Sequence, residues 1–148
     1  MRESVVCKSM ALAATVWGMP QDHSGRLIDH VHLVVRDITA SKRFYKAVLA
    51  AVEVPVGGEG DDFLWADELY ISNAAHVGPN APLTGRIHLA FKARDLAMLE
   101  RFHRDAIAAG GRDNGAPGLR PQYSGTYYGA FVLDPDGNNI EATFHAEG

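Results

Sequence analysis

Apolar and polar residues alternate along two stretches of the chain, residues 27–35 and 86–93, and both stretches are rich in apolar residues. This alternation predicts β-strands that each bury one face. An aspartate follows each stretch, Asp37 or Asp95, and aspartate is a favoured residue at helix N-termini. Apolar residues then recur at helical spacing until glycines and a proline interrupt the pattern. The chain is therefore predicted to begin a strand–helix unit twice.

These two strand–helix units are copies of one another. Residues 30–51 align with residues 88–109 at a constant offset (88 − 30 = 58) without a gap. Seven of those 22 positions are identical, and most of the others keep their apolar or polar character. Short strand candidates follow the helices at residues 52–56, 63–65, 69–72, 127–133 and 139–145. Each half is therefore predicted to have the order βαβββ, and neither half could bury its sheet alone.

The repeat also defines the domain organisation. We expect an α+β fold in a single domain, residues 27–145, preceded by an N-terminal extension of residues 1–26. The domain divides into module one, residues 27–80, and module two, residues 84–145. Glycines and prolines are frequent in residues 111–126, and this segment is predicted to be a long loop inside module two.

Composition narrows the classes of function. The 148 residues include 14 Lys and Arg against 18 Asp and Glu, and the net charge of −4 is not typical of nucleic-acid-binding proteins. The longest apolar stretch, residues 10–19, is half the length of about 20 residues that a membrane-spanning helix needs. Cys7 is the single cysteine, so no disulfide can form within the chain, as is usual for a reducing compartment. We therefore expect a cytoplasmic protein that binds neither nucleic acid nor membrane.

Three side chains suggest a metal site. His30 and His88 occupy equivalent positions at the predicted first strands of the two modules, and Glu141 lies in the last strand. Strand alternation directs all three away from the face that the helices cover. Two imidazoles and a carboxylate suit Mn, Fe(II), Zn, Ni or Co and leave coordination positions open for chemistry. The alternative is that the histidines are ordinary polar strand residues inherited by duplication.

Other polar and aromatic residues are candidates for contacts with a small-molecule substrate. His32 shares the face of His30, and Tyr70 is predicted to be the counterpart of Glu141 in module one. The predicted loop and the strand after it contribute Arg120, Tyr123 and Tyr128. Glycine-rich loops of this length are often functional, although a structural connection with aromatic anchors is the alternative. No Ser-His-Asp or Cys-His arrangement is recognisable, so no catalytic residue is assigned.

Two segments resemble a known superfamily. Residues 29–45 read Asp-His-Val-His-Leu-Val-Val-Arg-Asp-Ile-Thr-Ala-Ser-Lys-Arg-Phe-Tyr, and residues 131–141 read Phe-Val-Leu-Asp-Pro-Asp-Gly-Asn-Asn-Ile-Glu. Together with the second opening at His88 they resemble the vicinal oxygen chelate superfamily, which includes glyoxalase I, bleomycin-resistance and fosfomycin-resistance proteins and extradiol dioxygenases. The resemblance implies two βαβββ modules that form a curved mixed sheet around a cleft.

The resemblance also implies a function and a ligand set. Metal ligands of the superfamily lie on the first and last strands of each module, which correspond to His30, His88 and Glu141, with Tyr70 at the fourth place. The implied activity is a divalent-metal-dependent lyase, isomerase or extradiol-type dioxygenase that chelates two adjacent oxygens of a small organic substrate. The alternative is a metal-free protein that binds a small molecule, as bleomycin-resistance proteins do. We expect a homodimer, because sheet edges are usually paired or covered.

Overall fold

The computed structural model describes residues 28–78 and 80–147; the predicted extension of residues 1–26 lies outside them. The strands of this part of the chain are β1 (Val31–Val35), β2 (Gly58–Glu59), β3 (Phe63–Ala66), β4 (Leu69–Asn73), β5 (His88–Lys92), β6 (Arg112–Leu119), β7 (Tyr127–Leu133) and β8 (Asn139–His145). The helices are α1 (Ile38–Ala51), α2 (Ala74–Val77) and α3 (Leu96–Ala108). None of the helices in the described part of the chain has the length and apolar character needed to cross a bilayer.

The strands form two four-stranded mixed sheets with the same topology. The first sheet has the order β1-β4-β3-β2, and the second has the order β5-β8-β7-β6. In each sheet the first strand of the module runs parallel to the last, and the other pairs are antiparallel. The predicted α+β fold of two βαβββ modules is therefore confirmed. The two sheets remain open, with β1 and β5 at their edges.

The register of the sheets confirms the predicted equivalence of Tyr70 and Glu141. Tyr70 pairs with His32 across β1 and β4, and Glu141 pairs with Ala90 across β5 and β8. Because His32 and Ala90 are related by the repeat offset (90 − 32 = 58), the residues opposite them occupy equivalent places. The same place in the last strand is thus occupied by a tyrosine in module one and a glutamate in module two.

Both long helices begin as the sequence predicts. The side chain of Asp37 accepts a hydrogen bond from the backbone N–H of Ala40, and that of Asp95 accepts one from Met98. Each helix covers its own sheet and packs against the other helix. The buried side chains of the helices are Ser41, Phe44, Tyr45, Val48, Leu49, Ala51, Met98, Leu99, Phe102 and Ala106.

The contact between the helices repeats the internal symmetry. Arg43 of α1 donates from Nε to the backbone oxygen of Ala109, just beyond the end of α3, at 3.1 Å. Arg101 of α3 donates from Nε and Nη2 to the backbone oxygen of Ala51 at the end of α1, at 3.0 and 2.8 Å. An arginine at a helix C-terminus donates hydrogen bonds to carbonyls that lack an intrahelical partner, and its positive charge interacts favourably with the helix dipole. Each helix therefore caps the other.

Two predictions from the glycine and proline pattern are wrong. Residues 112–119 form the edge strand β6, although the sequence predicts a loop there. An edge strand tolerates proline and glycine because one side of its backbone makes no ladder hydrogen bonds, and the β6–β7 register shifts on both sides of Gly115. Residues 52–56 were predicted to be a strand, but they lie between α1 and β2, where the N–H of Val54 bonds back to Leu49.

Candidate functional site

Glu141 forms the centre of a polar cluster in module two. Its neighbours Ile140 and Ala142 are buried in the core, so strand alternation directs the carboxylate to the opposite face of the sheet. His88 of β5 reaches it from Nε2 to Oε2 at 2.8 Å, and the hydroxyl of Tyr127 on β7 donates to Oε1 at 2.6 Å. The Glu141 side chain is 2% exposed, whereas that of His88 is 52% exposed. The carboxylate is therefore almost fully enclosed by protein, whereas the imidazole that it contacts is open to solvent.

Tyr127 and a glycine hold the carboxylate in place. Burial raises the pKa of the Tyr127 phenol, and its hydrogen bond to Glu141 adds to that shift, so the hydroxyl stays a donor near neutral pH. A Cβ on Gly129, the next residue but one along β7, would lie 2.8 Å from Oε1 of Glu141. Only glycine leaves the space that the carboxylate occupies.

Two of the predicted substrate contacts lie beside this cluster. The guanidinium of Arg120 lies 5.3 Å from the centre of the Phe131 ring, and Phe131 in turn approaches the His88 ring at 6.1 Å. Tyr123 meets the ring of Tyr127 edge-on at 5.1 Å. The polar cavity beside β6 has a volume of about 360 Å³ and is lined by Asn114, Gly115, Ala116, Arg120, Gln122, Tyr123, Phe131 and Asn139.

Tyr128, another predicted substrate contact, lies on the other face of β7. Its ring stacks on Phe144 at 4.9 Å with an interplanar angle of 9°. Both rings pack against the hydrophobic core. Neighbouring residues of a strand point to opposite faces, so the structure separates Tyr128 from the side chain of Glu141.

Module one carries a second polar cluster on the equivalent face. The hydroxyl of Tyr70 lies 2.9 Å from Nε2 of His76, and Nδ1 of His76 lies 2.8 Å from Oδ2 of Asp62. His32 bonds from Nε2 to the hydroxyl of Ser72 at 2.9 Å. Burial lowers the pKa of His32, and the nearby charges of His76 and His30 lower it further. This imidazole is therefore held in its neutral form.

His30 lies at the start of module one, one residue before β1. Its Nδ1 is 2.7 Å from Oδ1 of Asp29, and its side chain is 35% exposed. Across residues 28–78 and 80–147, no three side chains of the types His, Cys, Asp and Glu come close enough together to hold a metal ion. A single chain thus brings His88 and Glu141 together, whereas His30 lies in module one and does not join them.

Sequence reasoning did not predict the contacts that three residues make in these clusters. Tyr127, a possible substrate contact by sequence, could have been placed beside Glu141, because in a β7–β8 hairpin around the predicted turn the two residues share a face. Asp62 and His76 carry no such signal, since one lies in a loop and the other in the short helix α2. Their relation to Tyr70 depends on how those connections fold back over the sheet.

Comparison with known proteins identifies the family. Residues 27–142 match the profile of the Glyoxalase/Bleomycin resistance protein/Dioxygenase superfamily. The chain belongs to this superfamily. A comparison with curated proteins gives no match.

Solved structures of the superfamily share the fold. A glyoxalase/bleomycin resistance protein from Albidiferax ferrireducens is 29% identical with a TM-score of 0.69, over 80% of this chain and 98% of that one. A glyoxalase-related enzyme from Fulvimarina pelagi is 20% identical, covering 82% and 88%, with a TM-score of 0.64. A structure named lactoylglutathione lyase from Agrobacterium tumefaciens is 17% identical, covering 82% and 95%, with a TM-score of 0.57. At the two lower identities the likeness concerns the fold alone.

Metal dependence is common in the superfamily, and the side chains of His88 and Glu141 are of types that bind divalent ions. His88 supplies an imidazole that solvent reaches, and Glu141 supplies a carboxylate whose other oxygen is held by Tyr127. A hydrogen-bonded partner behind a ligand is the usual support of metal sites. Catalytic metal sites usually have about three protein ligands, so an ion held by His88 and Glu141 would need one more.

Proposed function

We propose that this protein is a divalent-metal-dependent enzyme that acts on a small organic substrate with two adjacent oxygens. The observation that carries the proposal is the contact of His88 with Glu141 at 2.8 Å, in which the imidazole is open to solvent and the buried carboxylate is held by Tyr127. A buried carboxylate next to an imidazole is costly unless it is paired or binds a cation. Mn, Fe(II), Zn, Ni or Co would suit these donors.

The third ligand in this proposal is His30 of the partner subunit. His30 is the counterpart of His88 in the internal repeat, and it is exposed in the single chain. In the described part of the chain each sheet has an edge at which no further strand pairs, β1 in module one and β5 in module two, although Thr84 bonds to the backbone of Val34 at the β1 edge. Open sheet edges favour association. A two-fold dimer that places module one of one copy against module two of the other would complete two equivalent sites.

A divalent ion held by His88, Glu141 and the partner's His30 would supply Lewis-acid chemistry for the substrate oxygens. The residues of the chain supply the rest. Tyr127 keeps the Glu141 carboxylate in one orientation through its 2.6 Å hydrogen bond. Arg120, which lies over Phe131, offers a cation to a negatively charged substrate group. The reaction would be an isomerisation or elimination through an enolate, or an extradiol-type oxygenation with dioxygen as the oxidant.

One observation favours a second candidate, a metal-free protein that binds a small molecule. Both carboxylate oxygens of Glu141 already accept hydrogen bonds within a single chain, from His88 and Tyr127. A carboxylate satisfied in this way is stable without a cation. The polar cavity beside Arg120 would then serve binding alone.

Metal titration of the untagged protein, stripped with EDTA, separates the two candidates. We expect calorimetry with Mn²⁺, Fe²⁺, Zn²⁺, Ni²⁺ and Co²⁺ to detect tight binding of at least one ion, and Glu141→Ala or His30→Ala to abolish it. The matched control is His103→Ala, because His103 forms an equally short contact of 2.8 Å with Asp113 on the surface of α3. Equally weak binding by wild type and Glu141→Ala would establish the metal-free alternative.

A further inference from the structure

A chain of two hydrogen bonds in module one has no role in the function proposed above. It runs from the hydroxyl of Tyr70 to Nε2 of His76 at 2.9 Å, and from Nδ1 of His76 to Oδ2 of Asp62 at 2.8 Å. The three residues come from β4, from α2 and from the loop before β3. Such an arrangement of a hydroxyl, an imidazole and a carboxylate is the one by which enzymes move protons.

The chemistry of the groups fixes the direction of both hydrogen bonds. An ionised carboxylate only accepts hydrogen bonds, so Nδ1 of His76 carries the hydrogen and donates to Asp62. In the neutral imidazole Nε2 then carries the lone pair, and it accepts the hydrogen of the Tyr70 hydroxyl. The imidazole is thus arranged to receive the phenol proton, with Asp62 placed to stabilise the imidazolium.

The rings around Tyr70 hold the chain rigidly. Phe63 stacks parallel to the Tyr70 ring at 5.9 Å with an interplanar angle of 6°, and His32 meets it edge-on at 4.9 Å. The backbone N–H of His76 donates to the capping side chain of Asn73 at 2.9 Å. Side chains locked by packing and caps keep the geometry that proton transfer needs.

The environment keeps the phenol protonated. Burial raises the pKa of Tyr70, and the negative charge of Asp62 raises it further. A free phenolate near neutral pH is therefore strongly disfavoured at this position. Tyr70 can accept a proton from another molecule only if it passes its own proton on, and His76 is the acceptor in contact with it.

The position of Tyr70 directs the relay towards the proposed site. Tyr70 pairs with His32, and His30 precedes His32 by two residues on the same face of the sheet. Tyr70 is also the module-one counterpart of Glu141. In the dimer proposed above, the Tyr70 hydroxyl would therefore lie on the same side of the cleft as the proposed metal ligands.

We propose that Tyr70, His76 and Asp62 form a proton relay for a weakly acidic substrate with adjacent oxygens, such as a catechol, an enediol or an α-hydroxy ketone. Tyr70 Oη takes the proton from the substrate while the phenol proton moves to Nε2 of His76, and Asp62 stabilises the resulting imidazolium. The reverse steps return the proton to the product, so that protons balance. Tyr70 is the catalytic residue, and His76 and Asp62 are positioning residues.

The substrate class in this inference rests on the proposed function, but the relay has a test of its own. Two-bond ¹H–¹⁵N NMR correlations identify which ring nitrogen of a histidine carries the hydrogen. We expect the Nδ1–H form for His76 in the wild-type protein and loss of that preference in Asp62→Asn. His103→Asn is the control that removes a comparable surface pair. A wild-type His76 in the Nε2–H form would overturn the relay.

A chromophoric catechol, 4-nitrocatechol, tests the transfer itself, because its absorbance reports loss of its hydroxyl protons. Near neutral pH, we expect the ratio of ionised to neutral bound probe to fall about tenfold in Tyr70→Phe and His76→Asn, the effect of losing one charge-assisted hydrogen bond. His103→Asn should match wild type. Equal ratios in all proteins, or no binding of the probe, would overturn the proposal.

The same titration separates failure of the relay from failure of the proposed function. It is performed with EDTA and again with Mn²⁺. If the metal has no effect on wild-type protein but Tyr70→Phe still changes probe ionisation in EDTA, the relay stands and the metal site fails. If Mn²⁺ tightens probe binding and Tyr70→Phe leaves ionisation unchanged, the metal site stands and the relay fails.

Discussion

The position of the Glu141 side chain depends both on residues close to it in sequence and on residues far from it in sequence. Strand alternation predicts that Glu141 and His88 point away from the core, and the structure brings them within 2.8 Å of each other. Such local periodicity is what a sequence encodes directly. The contacts of Asp62 with His76, and of His76 with Tyr70, could not be predicted, because they depend on the paths of two connections with no periodic pattern.

Gly129 provides a test of the geometry around Glu141. We predict that Gly129→Ala weakens metal binding about tenfold or more, because its Cβ would lie 2.8 Å from Oε1 and displace the ligand. Isothermal titration calorimetry with the tightest-binding ion measures the change. Gly118→Ala is the matched control: Gly118 pairs with Gly129 across β6 and β7, and a Cβ there would meet nothing within 4 Å. Equal affinities for the two variants would contradict the prediction.

Elements with strong periodic patterns could be predicted from the sequence, and those with weak patterns could not. The bounds of β7 and β8 agree with the predicted ones, since β7 is a continuous apolar and aromatic run, β8 alternates, and a tight turn separates them. The edge strand β6 was missed because its glycines and Pro117 are typical of loops. Residues 112–119 form a strand because they pair with β7, which is itself held in the core. Such tertiary effects override local preference.

The reciprocal caps of α1 and α3 lead to a prediction at this scale. We expect Arg101→Ala to lower the free energy of unfolding by about 1–2 kcal/mol, because it removes two hydrogen bonds to the Ala51 carbonyl. Urea denaturation monitored by circular dichroism measures the loss. The control is Arg104→Ala on the same helix. Within residues 28–78 and 80–147 Arg104 pairs with its neighbour Asp105 alone, so its loss should change stability by less than about 0.5 kcal/mol. A loss no larger for Arg101→Ala than for this control would contradict the capping role.

At the scale of the whole molecule, a buried hydrogen bond joins the two modules. The hydroxyl of Tyr45 on α1 donates to Oδ2 of Asp134 at 2.6 Å, in the turn between β7 and β8. Asn138 donates to both oxygens of the same carboxylate. Burial raises the pKa of Tyr45 well above its usual range, and Asp134 adds to the shift. The modules are thus linked by a phenol that must stay protonated.

This linkage predicts a stability change at alkaline pH. The phenol of the unfolded chain ionises near pH 10, while the folded protein retains the proton to higher pH. The unfolded state therefore binds fewer protons in that window, and the free energy of unfolding falls as pH rises above about 10. In Tyr45→Phe this fall should be shallower, as measured by urea denaturation at several pH values. An identical slope in the variant would contradict the assignment to Tyr45, since Tyr70 and Tyr127 would then carry it.

The shared site is the central claim at the scale of the assembly. A site shared between two chains would explain why His88 contacts Glu141 within one chain while His30, in the other module, stays exposed. Sequence alone could suggest the three ligands, but it could not tell whether one chain brings them together. That depends on the contact between α1 and α3, which orients the two sheets of a single chain.

Mixing two inactive variants tests this claim most directly. His30→Ala and Glu141→Ala proteins are unfolded together, refolded as a mixture, and titrated with the metal that wild type binds. Random pairing makes about half of the dimers mixed, each with one intact site, so the account predicts about a quarter of the wild-type binding capacity. Each variant refolded alone should bind none. A mixture that binds no more metal than the separate variants would contradict a site shared between two chains.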